Sequence, residues 1–137
     1  MAKRFHLSER AANAAVDAVC GLASDGFLRI YGGPEPADAD EPIAAAHTLL
    51  AELRFSAPAY EKARDGEAQT RPILSEMSAK AEGKARWFRA VMANGMTGIF
   101  DGSVGTKASD LNLNTIDIAE GMVISVSTLP YRQPRKK

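Results

Sequence analysis

The side chains best suited to metal ligation or nucleophilic catalysis here are two histidines, His6 and His47, and one cysteine, Cys20. A zinc site needs His, Cys or carboxylate ligands at recurring short spacings, and these three residues show no such spacing. A Cys–His pair needs an exposed, activated thiolate. Cys20 instead falls on the apolar side of a helical repeat, where a small core residue belongs. Asp38 and Asp40 could serve as an acid–base pair, but they sit in a Pro- and Gly-rich loop. Acid–base work needs carboxyls held rigidly at the reacting atom. The glycines between Gly95 and Gly105 fit neither a P-loop nor a dinucleotide fingerprint, and no helical pattern follows them to supply a dipole. They read as turn glycines. Trp87 and Phe88 could stack on a ligand; as neighbours on a central strand, one is expected in the core and the other against a partner. The pattern implies no catalytic residue, no cofactor and no metal.

Basic residues cluster differently. Lys3 and Arg4 stand near the start, with Phe5 and Leu7 beside them. Arg132, Arg135, Lys136 and Lys137 stand at the end, after Tyr131. One reading is a pair of solubilising tails. The other is a pair of arms that lie on an acidic neighbour or near packaged nucleic acid, with Phe5, Leu7 and Tyr131 as apolar anchors. These nine residues are the candidate partner contacts.

The elements that must position such residues follow from periodicity. Ser8 suits a helix N-cap with Glu9 in the first turn. Ala12, Ala15, Val16, Val19, Cys20 and Ala23 then recur at helical spacing, which predicts a helix over 9–24. Phe27 to Tyr31 alternates as a first strand. The stretch 32–42 carries three prolines and four acids and reads as a solvated loop. Residues 49–55 alternate as a strand, with a helix through 44–54 as the alternative. A loop over 57–67 and an edge strand over 69–77, weakened by Pro72, come next. Residues 85–92 carry apolar side chains on both faces, which marks a central strand. Asn94-Gly95 is a type I′ hairpin signal, returning through 96–101. A loop over 102–109, short pieces at 111–114 and 116–118, and a last strand over 122–129 complete the domain. About seven strands behind one N-terminal helix predict a mainly β, antiparallel sandwich. The boundaries are an arm at 1–7, one domain at 8–130 and a tail at 131–137.

With 137 residues and 17 basic against 17 acidic side chains, the formal charge is zero. No overall field draws the chain to nucleic acid, and nothing repels its copies from one another. A single cysteine allows no internal disulfide, consistent with a reducing compartment. The N-terminal stretch lacks the apolar run of a signal peptide, and no stretch approaches the roughly 20 apolar residues of a membrane span. A soluble protein used without secretion is expected.

The strings GFLRIYGGPEP, TLLAELRF, ARWFRAV, FDGSVG and SDLNLNT…IAEGMVISVS together resemble a family of small bacteriophage and prophage virion structural proteins. The likeness covers about residues 9–129, and FDGSVG…DLNLNT is its most specific part. The charged stretch EKARDGEAQTRP and the basic tail depart from the leaner members. The resemblance implies a virion component assembled in the host bacterial cytoplasm and brings no enzyme residues with it. The sharpest expectation is a head-decoration or minor capsid protein that self-associates and binds the major capsid protein. A tail, neck or baseplate component is the alternative. A carbohydrate- or ligand-binding module, with Trp87 or Tyr31 as an exposed stacking platform, is the reading from another class.

Overall fold

The computed structural model describes residues 6–132. Its elements are α1 (Glu9–Gly21), β1 (Phe27–Gly32), β2 (Thr48–Arg54), β3 (Glu67–Ala68), β4 (Gly83–Lys84), β5 (Trp87–Val91), β6 (Gly98–Gly105), β7 (Leu111–Asn112), β8 (Asp117–Ile118) and β9 (Tyr131–Arg132). The fold is mainly β and sandwich-like, with the expected single helix. A five-stranded sheet runs in the order β2–β1–β5–β6–β7, antiparallel except for the parallel β6–β7 pair. Small sheets β3–β9 and β4–β8 accompany it.

Ser8 caps α1 as its residue type dictates: its Oγ accepts the Ala11 N–H at 3.1 Å. The helix stops at Gly21, three residues before the expected end, and the chain turns through Asp25 at φ 59°. Ala12, Val16 and Cys20 form its buried stripe. Residues 48–54 are strand rather than helix, because they pair antiparallel with β1 residue by residue, from Arg54 opposite Phe27 to Ala51 opposite Ile30, with one register shift before Leu49 meets Tyr31.

The second layer is an irregular ribbon. Glu67 and Ala68 pair with Arg132 and Tyr131 at one end, and Glu76 pairs with Ile124 at the other. Between them Thr70 Oγ1 lies 3.4 Å from Thr128 Oγ1 and Ser75 Oγ lies 2.8 Å from Ser125 Oγ. The expected strands 69–77 and 122–129 therefore run alongside each other, but only isolated bridges form. Pro72 lacks the N–H that a ladder needs. Ile124, Val126 and Leu129 of this ribbon share one core with Leu28, Ile30, Phe88 and Ala90 of the main sheet and with Val16 and Cys20 of α1. The ribbon also covers the β2 edge. Leu74 exchanges two backbone bonds with Arg54, the Glu52 N–H donates to Glu76 Oε1 at 3.1 Å, and the Lys80 N–H donates to the Leu50 carbonyl at 2.8 Å. An uncovered edge would invite pairing with other chains.

Three local expectations need correction. The β5–β6 connection is not a two-residue type I′ turn, which requires positive φ at both central residues. Among the described residues, Gly95 has φ +75° but Asn94 is not in that region. The Met92 N–H donates to Thr97 O, and Asn94 Oδ1 accepts the N–H groups of Met96 and Thr97, so a longer loop is closed by the asparagine side chain. Next, β6 continues to Gly105 because Leu111 and Asn112 pair with Val104 and Gly105, which moves the start of the expected 102–109 loop to residue 106. Last, the fold extends through Tyr131 and Arg132, which were expected in the tail. Tyr131 pairs with Ala68 and stacks on Phe100 at 5.0 Å between ring centroids.

Candidate functional site

The strands of the main sheet have two faces, and the face turned away from the core carries the charge. Alternation puts Arg29 on β1, Glu52 on β2, Arg89 on β5 and Asp101 on β6 on that side. The register makes them one row: Glu52 opposite Arg29, Arg29 opposite Arg89, Arg89 opposite Asp101. Arg29 Nε donates to Glu52 Oε2 at 2.7 Å, and its Nη1 donates to the Gly95 carbonyl at 2.9 Å. Arg89 grips Asp101 with two parallel bonds, Nε to Oδ1 at 2.7 Å and Nη2 to Oδ2 at 3.0 Å. That bidentate geometry is the strongest form of the pair. The side chains of Arg89 and Asp101 are only 7% and 6% exposed. The hydrogen bond to Asp101 raises the pKa of Arg89 against the opposing effect of burial, so the guanidinium stays charged inside the fold.

The rest of that guanidinium holds the acidic loop. Arg89 Nη1 donates to the Glu41 carbonyl at 2.7 Å and Nη2 to the Asp38 carbonyl at 3.1 Å. The 32–42 segment, expected as a solvated loop, is thus tied to the sheet through its backbone while the Asp38, Asp40 and Glu41 side chains face solvent. Gly98 allows the close approach, since a Cβ there would collide with the Ala39 carbonyl oxygen. Gly98→Ala should therefore lift the loop and cost about 1–3 kcal/mol, the usual penalty for overpacking. The shift of the thermal unfolding midpoint measures it.

Beneath the loop lies an aromatic stack. Tyr31 and Trp87 are 4.5 Å apart at 14°, and the His47 ring meets Trp87 edge-on at 5.1 Å. Arg89 lies over the Trp87 ring at 5.4 Å. His47 Nδ1 accepts the Ala44 N–H at 2.9 Å, which fixes the returning end of the loop. Trp87 is 0% and Phe88 2% exposed. The expectation that one of them faces a partner is corrected: Phe88 joins the main core and Trp87 lies under the 33–47 segment. Trp87 Nε1 is buried with no hydrogen-bond partner among the described residues.

The residues singled out for chemistry do not converge. Cys20 is buried, and burial, with a smaller contribution from Asp17, pushes its thiol up to about 12. Such a thiol is inert at neutral pH. Glu35 has a raised pKa, from burial first and then from Asp101 and Asp110, so negative charge gathers at this end of the loop. Among the described residues, no group of three or more His, Cys, Asp or Glu side chains is placed to hold a metal ion, and no helix is long and apolar enough to cross a membrane. Of the candidate partner contacts, Lys3, Arg4, Phe5, Arg135, Lys136 and Lys137 lie outside the described residues. Leu7 is half-buried ahead of α1, Tyr131 is half-buried against Phe100, and Arg132 is exposed with Nη2 3.7 Å from Glu67 Oε1. Tyr131 therefore anchors its own fold.

Sequence reasoning missed the Glu52–Arg29–Arg89–Asp101 row. Its signal was present: FLRIY, WFRAV and IFDGS each carry one charge inside an apolar strand. Only register shows that these charges align. Compared with family models, curated proteins and solved structures, the chain matches none.

Proposed function

We propose that this protein is a non-enzymatic virion structural component, in the form of a head-decoration or minor capsid protein that binds and stabilises the major capsid lattice. The observation that carries this reading over the ligand-binding alternative is the burial of Trp87 and Tyr31. A carbohydrate-stacking module needs an aromatic platform open to solvent. Here both rings lie under a loop held by a buried ion pair, so the aromatics stiffen the domain. The likeness in FDGSVG…DLNLNT supports the virion setting. A small sandwich-like domain suits repeated weak contacts that add through multivalency.

The test is the number of copies of this chain per purified particle, by quantitative mass spectrometry against the major capsid protein. Hundreds of copies are expected. A handful to a few tens would move the protein to the tail, neck or baseplate, and absence from particles would overturn the virion reading. Because Tyr131 and Arg132 belong to the fold, a tail-deletion variant should remove residues 133–137 only. That variant is expected to fold normally and to load into particles less well.

A further inference from the structure

A groove of about 270 Å³ lies between 113–115 and 122–125. The lips are irregular backbone, with a bend at Asn114 on one side and the single bridge residue Ile124 on the other. Ile124 spends its N–H and C=O on Glu76, which turns those of Val123 and Ser125 outward. They have no partner among the described residues, and neither do the backbone groups of Asn114 and Thr115 on the opposite lip. Val123 is 54% exposed, and Met77, opposite it across the ribbon, is 69% exposed. Apolar side chains beside unpaired backbone define an edge that accepts a strand.

We infer that this groove takes the N-terminal segment of a second copy of this chain, added as an extended strand with Phe5 on the groove's apolar side. With free groups on both lips, the slot fits a single arm better than the flank of another folded domain. Of the two terminal segments, 133–137 holds Pro134, which lacks an N–H, and no large apolar residue. The 1–5 segment holds Phe5, with Lys3 and Arg4 to meet the exposed Glu120 beside the groove.

The arm must come from another copy. The Gly66 N–H donates to Asn13 Oδ1, and the Ala63 N–H to Asp17 Oδ1, so α1 runs back along 59–66 with its N-terminus toward the turn before β3. The groove is at the other end of the ribbon, eight residues or roughly 25 Å from β9 in extended chain. Phe5 is three residues from Ser8 and reaches at most about 11 Å from it.

Sedimentation of the purified full chain, together with binding of a labelled peptide MAKRFHL to a chain lacking residues 2–5, tests this without any particle, so its failure leaves the copy-number test untouched. The full chain should self-associate. Deleting residues 2–5, or Val123→Lys at the exposed edge, should each weaken association at least tenfold. Mixing the two variants should restore a 1:1 complex, since one supplies the slot and the other the arm. The peptide should bind the shortened chain and lose at least tenfold in affinity with Phe5→Ala in the peptide. Association that survives the deletion would overturn the proposal, as would a monomeric full chain whose shortened form ignores the peptide.

Discussion

Arg89→Met should cost about 3–5 kcal/mol of stability, the range for removing one partner of a buried ion pair. The loss has two origins. Asp101 is left as a buried carboxylate without its bidentate partner, and the carbonyls of Asp38 and Glu41 lose the donor that holds the acidic loop. The two can be separated. In the double variant Arg89→Met/Asp101→Leu no unpaired charge remains, so the global cost should fall well below that of the single change. The loop has still lost its donor, so amide exchange across 38–44 should stay as fast as in the single variant. Urea unfolding measures the first effect and hydrogen exchange the second. If the single variant lost less than about 1 kcal/mol, the level of a surface pair, the buried row would not organise this face.

This row also shows how far the sequence could be read. The helix, β1, β2 and the buried centre of β5 were legible because each is a local pattern: a cap followed by helical spacing, or strict alternation. The charges inside those strands were visible too, but a charge in an apolar strand has no assigned partner until register is known. Register depends on pairing between segments far apart in sequence, such as Arg29 with Arg89. The acidic loop was misjudged for the same reason. Its side chains are solvated, as composition suggests, while its backbone is bound by an arginine some fifty residues away. The ribbon was half legible: 69–77 and 122–129 have strand patterns, but their pairing breaks into isolated bridges, and apart from Pro72, which lacks an N–H, little in the local pattern signals that. The groove at Val123 and Ser125 had no sequence signature, because it consists of backbone groups left over when other pairings are complete.

Trp87→Ala should be the other severe change, at about 3–5 kcal/mol for an aromatic core truncation. Trp87 is fully buried, stacked on Tyr31, edged by His47 and covered by Arg89. Removing it opens a cavity below a loop that cannot collapse freely, because Arg89 holds it from the sheet. Trp87→Phe keeps much of the stack and also deletes an indole N–H that is buried without a partner. An orphaned donor costs about 1–3 kcal/mol, which offsets much of the lost packing, so Phe should cost about 1 kcal/mol or less. The contrast between the two variants in urea unfolding reports whether this ring serves the fold by shape or by its polar edge. Trp87 is also the sole tryptophan, so the native protein's emission reports this site alone. It should resist acrylamide quenching in the native chain and become readily quenched in Arg89→Met, where the covering loop is released. Strong quenching of the native emission would mean that the ring is open to solvent, and the case for a structural domain over a ligand-stacking one would lose its main support.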